Sequence, residues 1–205
     1  MTWQEHWESV YERKAPEEVS WYREHLETSV ALIERASGGK RSAAIADIGG
    51  GASTLVDDLW GAGYRAVTVL DISLRALQTA RKRLGPAAEG IRWVCADATA
   101  CSLPAASVDV WHDRAVFHFL TQEEQRRRYV RSVLHALRPG GHVIVSTFGP
   151  QGPLRCSGLE TLRYDAVHLH AEFGQRFQLV ESLEEMHATP MGTTQQFLYC
   201  HCLVN

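Results

Sequence analysis

Residues 46–53, Ala-Asp-Ile-Gly-Gly-Gly-Ala-Ser, are the stretch that decides the fold. They overlap the end of a short apolar run, residues 43–48, and they precede a segment with the pattern of a helix. Glycine lets the backbone turn sharply and lie close to a ligand, and the first turn of a helix offers free N–H groups. The sequence therefore predicts a strand, a ligand-binding turn and a helix in succession.

The turn differs from two common nucleotide-binding loops. A dinucleotide fingerprint requires a third glycine where this chain has Thr54, and a phosphate-binding loop ends in a Lys-Ser or Lys-Thr pair that is missing here. We therefore expect a ligand that carries no pyrophosphate.

Short apolar runs alternate with amphipathic stretches from residue 43 onward. Such alternation predicts parallel strands with helices on both faces of the sheet. The predicted strands are residues 43–48, 66–70, 91–94, 108–111 and 142–147. Before them, residues 2–13 and 19–36 have the pattern of helices.

The end of the chain departs from this alternation. Residues 177–187 and 195–204 both have the pattern of strands, and the segment between them is too short for a crossover helix. This pair must therefore be antiparallel. We predict one domain over residues 1–205, with a doubly wound α/β fold, a seven-stranded, mostly parallel sheet and a C-terminal antiparallel hairpin.

Each of the first four predicted strands ends at or near an aspartate. These residues are Asp47, Asp71, Asp97 and Asp113. Open α/β sheets bind ligands at the carboxyl ends of their strands. A carboxylate at Asp71 can accept hydrogen bonds from both hydroxyls of a ribose, and one at Asp97 can accept a bond from an adenine amino group. The four positions together predict an adenosine-containing ligand.

Composition and charge exclude several classes of protein. The chain has 205 residues, 45% of them hydrophobic, and a net charge of −3, so no basic surface indicates a nucleic acid or an anionic membrane as partner. The five cysteines are an odd number, and the sequence has neither a signal peptide pattern nor an apolar run that approaches a membrane span. We expect a soluble, cytoplasmic protein with no nucleic-acid or membrane partner.

These motifs together resemble the class I S-adenosylmethionine-dependent methyltransferases. The similarity covers roughly residues 43–148, and the hairpin at 177–204 is similar to the last two strands of that family. The resemblance implies a Rossmann-like fold and methyl transfer from S-adenosylmethionine, with S-adenosylhomocysteine as product. It also implies the following cofactor-binding residues: Asp47, Gly49 and Gly51 for the methionine part, Asp71 for the ribose, Ile72, Asp97 and Ala98 for the adenine, and Asp113 facing the sulfonium.

The resemblance outside the cofactor site is looser. Residues 113–115, Asp-Arg-Ala, are similar to the Asp-Arg-Gly triplet of thiol and protein-lysine methyltransferases, and His118 falls where many small-molecule methyltransferases have a histidine pair. Residues 1–36 resemble a helical lid. Their aromatic content exceeds what a surface tail requires, and it comprises Trp3, Trp7, Tyr11, Trp21 and Tyr22.

Methyl transfer requires alignment, exclusion of water and, for some acceptors, removal of a proton. The candidate catalytic residues are Tyr22, Asp113, His118 and Tyr164, with Trp21, Arg114, Phe117, Arg155 and Cys156 as further candidates for the acceptor side. His118 could act as a general base, or it could be a histidine with satisfied hydrogen bonds. Cys156 could contact the substrate or a soft metal, or it could pack as a small apolar side chain.

The triplet Cys200-His201-Cys202 does not predict a metal site. Strand alternation places the two thiols on one face and the imidazole on the other, so the three cannot converge on one ion without a bulge. We therefore expect no metal.

The favoured function is methylation of a small molecule by a monomer or homodimer. The alternative is a protein lysine methyltransferase, which would need an open acidic groove for its substrate. The cofactor motifs argue against a non-catalytic binding module. The lack of a basic surface argues against methylation of nucleic acids.

Overall fold

The computed structural model describes residues 2–205. Its α-helices, in chain order, are α1 (Trp3–Arg13), α2 (Glu27–Ala36), α3 (Leu55–Gly61), α4 (Leu74–Leu84), α5 (Glu123–Ala136) and α6 (Ala166–Phe173). Short 3-10 turns occur at Pro16–Glu18, Gly85–Gly90 and Phe117–Phe119.

The strands confirm the predicted fold. In chain order they are β1 (Ile45–Ile48), β2 (Val67–Asp71), β3 (Arg92–Cys95), β4 (Val108–Arg114), β5 (Leu137–Phe148), β6 (Arg155–Cys156), β7 (Leu159–Glu160), β8 (Phe177–Ala188) and β9 (Thr194–Val204). Seven of them form one sheet in the order β3-β2-β1-β4-β5-β9-β8. The neighbours from β3 to β5 pair in parallel, whereas β9 pairs antiparallel with both β5 and β8.

The register of the sheet aligns the carboxyl ends of its central strands. Ile48 lies opposite both Leu70 and Asp113, and Asp71 lies opposite Cys95. The chain order reverses at the boundary between β1 and β4, which is where open α/β sheets bind their ligands. The predicted site residues at the strand ends are therefore neighbours at one edge.

Residues 19–26 are not helical, so the prediction of one helix over residues 19–36 was wrong in its first half. Helix α2 begins only at Glu27. Three backbone carbonyls of the earlier segment accept hydrogen bonds from side chains elsewhere in the fold. These pairs are Ser20 with His187 (2.7 Å), Trp21 with Arg114 (2.9 Å) and Arg23 with Thr54 (2.9 Å). A helix would occupy these carbonyls, so tertiary contacts override the local pattern.

The segment proposed as a lid, residues 1–36, divides into two parts. Helix α2 packs on the sheet, where Leu32 and Ile33 are fully buried. Helix α1 instead contacts the beginning of α4, because a carboxylate oxygen of Glu8 accepts a hydrogen bond from the Leu74 N–H at 2.6 Å. Met1 lies outside the described residues. We therefore restrict the proposed lid to residues 2–23.

Apolar side chains cover both faces of the sheet. On one face Trp111 and Val145 pack against α5 and α6, and on the other Val110 and Ile144 pack against α2 and α3. Within residues 2–205, the helices are too short or too polar to cross a membrane.

The alternation predicted for residues 200–202 is confirmed. Cys200 and Cys202 belong to the buried core on the side of α5 and α6. The imidazole of His201 lies on the opposite face, where its Nε2 is 2.9 Å from Nδ1 of His142.

Candidate active site

The turn after β1 requires glycine at two positions. Gly49 has a φ of +66°, and a Cβ there would collide with the side chain of Val116. Gly51 has a φ of +31°, and a Cβ there would lie 2.6 Å from Oδ2 of Asp71. A side chain at either position would push the turn away from the ends of β2 and β4. The glycines thus hold three strand ends close together.

Asp71 places a buried carboxylate at the end of β2. Its Oδ1 accepts a hydrogen bond from the Ser73 N–H at 2.8 Å. Burial raises the pKa of Asp71 to about 7, against the lowering effect of that N–H, and the nearby carboxylate of Asp47 raises it further. A ligand that supplies O–H donors would stabilise the ionised form of this carboxylate.

The ends of β2 and β3 form one wall of the main cavity. Ile72, Asp97 and Ala98 all line it. Oδ1 of Asp97 accepts a hydrogen bond from the Thr99 N–H at 2.7 Å, which fixes the turn after β3. Two apolar side chains with a carboxylate at the same edge suit a flat ring that carries an amino group.

Asp47 lines a second, smaller hollow beside the glycine turn, next to Tyr22 and Arg23. Its Oδ1 lies 2.9 Å from Nδ1 of the buried His112. Its Oδ2 is also buried, and it has no hydrogen-bond partner among the described residues. An unpartnered buried carboxylate oxygen suits a ligand that brings its own donor, such as an ammonium group.

The main cavity has a volume of about 280 Å³ and lies over the carboxyl ends of the parallel strands. It shares four lining residues with the smaller hollow, so the two are adjoining parts of one site. The shared residues are Tyr11, Trp21, Gly49 and Arg114.

Aromatic side chains of the lid form the opposite wall of the cavity. Trp7 packs edge-to-face on Phe119 and on Trp21, with ring centroids 5.1 and 5.8 Å apart. Trp3 makes a similar contact with Phe119 at 6.3 Å. Helix α1 therefore covers the cavity from the beginning of α4, which follows β2, to Phe119, which follows β4. That the segment becomes ordered when ligand binds stays a prediction.

Comparison with known proteins places these features in a family. Residues 46–145 match the family model of a methyltransferase domain. Over 146 residues the chain is 25% identical to the eEF1A lysine and N-terminal methyltransferase homolog of Drosophila melanogaster, a match that covers 68% of this chain and 21% of that protein. The chain thus spans about a fifth of the length of this curated relative.

Solved structures share the fold across almost the whole chain. One comes from work on the conversion of a disulfide bond into a thioacetal group during echinomycin biosynthesis. It has a TM-score of 0.80 and 21% identity, and the match covers 100% of this chain and 92% of that one. The N-methyltransferase NodS of Bradyrhizobium japonicum, in complex with S-adenosylhomocysteine, has a TM-score of 0.70 and 17% identity over 96% and 97% of the two chains. Residues 46–145 thus match a methyltransferase domain, and the chain shares its fold with solved methyltransferases.

The residues of this site fit S-adenosylmethionine in three respects. The Asp71 carboxylate is buried and has few donors of its own. Oδ2 of Asp47 is buried without a partner. Gly49 and Gly50 line the cavity and the adjoining hollow, where they present backbone without a side chain. A ribose, an amino group and a closely approaching chain would meet these three requirements.

The sequence predicted that Asp113 faces the ligand, but the structure does not place it in the lining of the cavity. It is fully buried, and its Oδ1 accepts a hydrogen bond from the Val116 N–H at 2.9 Å. Its Oδ2 accepts bonds from the Phe117 N–H (3.1 Å) and the Tyr129 hydroxyl (2.5 Å). Both oxygens accept hydrogen bonds from the protein, and Asp113 does not line the cavity, so this residue shapes the turn after β4.

His118 is also fully buried, behind Phe148, and is absent from the described residues that line the cavity. Its Nδ1 accepts a hydrogen bond from the Phe148 N–H at 3.1 Å. Burial lowers the pKa of His118 to about 3, and the charge of Arg114 lowers it further. The neutral ring must then carry its proton on Nε2, so neither nitrogen can accept a proton from a substrate. Its Nε2 has no hydrogen-bond partner among the described residues, so the histidine is satisfied only at Nδ1. The geometry still favours a buried structural histidine over a general base.

The two tyrosines proposed as catalytic residues lie in different places. Tyr164 packs on Phe117 in the core, and its hydroxyl donates to a carboxylate oxygen of Glu172 at 3.2 Å, away from the cavity. Tyr22 lines the smaller hollow, beside Asp47. Its position suits contact with the cofactor better than contact with the acceptor.

Other lining residues follow the prediction only in part. Arg114, Trp21 and Cys156 line the main cavity as proposed, whereas Arg155 is exposed and donates to the Gly158 carbonyl. The lining residues that the sequence did not single out include Phe119, Gln125, Arg128 and Phe148. Phe148 could have been proposed, since it is the last residue of β5 and therefore lies at the ligand-binding edge.

Proposed function

We propose that the protein transfers the methyl group of S-adenosylmethionine to a small-molecule acceptor. The observation that carries this proposal is the covered cavity, in which Trp3 and Trp7 of the lid lie opposite the strand ends. A concave site with aromatic walls suits a compact ligand, whereas a peptide requires an extended groove or a free sheet edge.

The cofactor contacts follow from the positions of the strand ends. We assign the ribose to Asp71 and the adenine ring to the edge formed by Ile72, Asp97 and Ala98. The methionine part would lie over the turn from Gly49 to Gly51 and toward Asp47, with Tyr22 beside it. Asp113 contributes indirectly, because it holds the turn that contains Arg114 and Ala115.

Bound S-adenosylmethionine supplies a methyl group on a positively charged sulfur. The chain's own residues have to align the acceptor with that group and exclude water. Trp7, Trp21 and Phe119 provide an apolar cover for this purpose. His118 and Asp113 cannot remove a proton, because their hydrogen-bonding atoms are occupied or directed into the core.

A lysine-bearing protein is the second candidate acceptor. The similarity to the Drosophila relative supports it, as does the Asp-Arg-Ala triplet at residues 113–115. In this case the lid would have to move aside, since α1 covers the end of the cavity where a lysine side chain would enter.

We also propose a cellular compartment, the absence of a nucleic-acid partner and an oligomeric state. All five cysteines are free thiols, which suits a reducing, cytoplasmic setting. The net charge of −3 suits a protein without a nucleic-acid partner. We propose that it acts as a monomer or homodimer.

Two measurements test the proposal. Calorimetry should show binding of S-adenosylhomocysteine, and a radiolabelled methyl group should pass to members of a small-molecule panel and not to lysine-bearing proteins. Ile72→Asp offers a mutant control, because a second carboxylate at the adenine edge should weaken cofactor binding. Efficient labelling of a protein lysine, with no small molecule labelled, would replace the first candidate by the second.

A further inference from the structure

Charge is unevenly distributed around the main cavity. Four charged side chains line it: Asp71, Asp97, Arg114 and Arg128. The two carboxylates stand at the ends of β2 and β3, where the cofactor's adenosine would lie. The end formed by β4, β5 and the lid has no carboxylate among the described lining residues. The acceptor end of the site is therefore cationic.

Arg114 is the buried source of this charge, with a side chain only 5% exposed. Its Nε donates to the Tyr199 hydroxyl at 3.0 Å, and its Nη1 donates to the Trp21 carbonyl at 2.9 Å. Its Nη2 has no hydrogen-bond partner among the described residues. The carboxylate of Glu185 lies 3.9 Å from it and is bound more closely, at 2.7 Å, by Arg23. The guanidinium charge is thus only partly balanced.

This charge also acts on two neighbouring imidazoles. Burial lowers the pKa of both His118 and His187, and Arg114 lowers each further. Both rings are therefore neutral near pH 7. A protonated amine placed here would meet a guanidinium and no carboxylate that lines this end of the cavity, which is an unfavourable environment for a cation.

The remaining wall of the acceptor end is aromatic and lacks a proton acceptor for the substrate. Trp3, Trp7, Trp21, Phe119 and Phe148 form it, and Cys156 adds a small apolar contact. Flat rings pack well edge-to-face or offset against such walls. An acceptor bound here must therefore lose its proton without a protein base.

We propose that the acceptor is an aromatic thiol or phenol that binds and reacts as its anion, with Arg114 as the partner of its negative charge. This inference rests on the proposed function and specifies the substrate class of the same site. The acceptor's proton passes to solvent on binding. The lone pair of the anionic sulfur or oxygen then forms a bond to the methyl carbon. The bond between that carbon and the cofactor sulfur breaks, and its electron pair stays on the cofactor sulfur.

The first test uses a coloured probe and no turnover. 4-Nitrophenol absorbs differently as phenol and as phenolate, so its pKa can be read from absorbance while it is bound to the protein with S-adenosylhomocysteine. We expect binding to lower the pKa of the probe by about one to two units, the shift typical of a close opposite charge. Arg114→Gln should abolish this shift and Arg114→Lys should retain part of it. Arg131→Gln, which removes an exposed arginine paired with Glu124, should leave it unchanged.

The second test needs only the unmodified protein, so it decides the matter even if the Arg114 variants do not fold. Thiophenol, phenol and benzylamine are offered with S-adenosylmethionine in single-turnover reactions. We expect thiophenol or phenol to react at least about tenfold faster than benzylamine, and the faster of the two identifies the reacting atom. Preferential methylation of benzylamine, or an unshifted probe, would overturn this inference and leave the small-molecule function intact. Methylation of a lysine peptide in preference to all three would overturn the proposed function itself.

Discussion

The two ends of the cavity are built in different ways. At the adenosine end, the site consists of strand ends that carry glycines and carboxylates. Gly51 lies so near Asp71 that a Cβ would be 2.6 Å from its Oδ2, so the turn after β1 stays close to the end of the neighbouring strand β2. At the acceptor end, the wall is assembled from α1, the segment around Trp21, the turn after β4 and the end of β5, and it is aromatic and cationic. We therefore propose that the first end recognises a fixed cofactor with polar groups, whereas the second selects an acceptor by shape and charge.

This difference predicts that changes at the two ends affect different quantities. Loss of a group at the adenosine end should weaken cofactor binding, because the bound ribose loses a hydrogen-bond acceptor. Loss of the lid should lower turnover, because alignment and exclusion of water depend on it. Variants that lower cofactor affinity and turnover together would show that the two ends do not act independently.

The largest effect is expected from deletion of the lid. Without residues 1–18 the cavity loses Trp3, Trp7 and Tyr11, while α2 and the sheet core remain. Turnover should fall by about 10²-fold or more, the cost expected when reactants are misaligned. Circular dichroism should show an intact sheet. Unchanged turnover in this truncation would show that α1 only packs on the surface.

Asp71→Ala should produce the next largest effect, this time on the cofactor. Two ribose hydroxyls would lose their acceptor, which costs about 1–3 kcal/mol of binding free energy. Calorimetry with S-adenosylhomocysteine measures this loss directly. Asp97→Ala, at the exposed edge of the same wall, is the matched control and should cost less. Equal affinity of wild type and Asp71→Ala would remove Asp71 from the site.

Cofactor affinity should also depend on pH through the same carboxylate. Burial raises the pKa of Asp71 to about 7 in the free protein, and hydroxyl donors from a ribose would favour its ionised form. Binding must therefore release a proton below this pH, so affinity should be full above pH 7 and fall up to about tenfold per unit below it. Asp71→Asn should abolish this dependence. The Asp113 carboxyl, whose pKa burial also raises to about 7, does not face the cavity, so it should not contribute to the slope.

The structure places most residues predicted for the adenosine end beside the cavity, but it does not place Asp113, His118 and Tyr164 there, for a physical reason. The glycine turn and the carboxylate of Asp71 each lie within a few residues of a strand end, so local patterns reveal them. The roles of Asp113 and His118 are set by Tyr129 and Phe148, which are 16 and 30 residues away in the chain. No local pattern shows that these partners occupy the hydrogen-bonding atoms.

His118→Phe should separate structure from catalysis at the acceptor end. The Phe148 N–H would lose its acceptor inside the core, which should lower the free energy of unfolding by about 1–3 kcal/mol. Turnover per folded molecule should stay within about threefold of wild type, whereas loss of a true general base costs about 10²–10⁴-fold. A loss of that size with unchanged stability would restore His118 as the base.

The smallest effect is expected at Ala115, which joins β4 to the acceptor end. It has a φ of +73°, a left-handed conformation that costs a residue with a Cβ about 1–2 kcal/mol. Asp113 enforces this conformation, because its carboxylate binds the Val116 N–H immediately beyond.

Ala115→Gly relieves the strain but adds about 0.4–1 kcal/mol of unfolded-state entropy, so stability should rise by at most about 1 kcal/mol. Thermal unfolding measures this gain, and Ala62→Gly, at the right-handed end of α3, should give a loss instead. Since Ala115 lines the cavity, the glycine variant should alter acceptor KM and leave affinity for S-adenosylhomocysteine unchanged. A loss of stability in Ala115→Gly would mean that the packing of this methyl group outweighs the strain of its backbone.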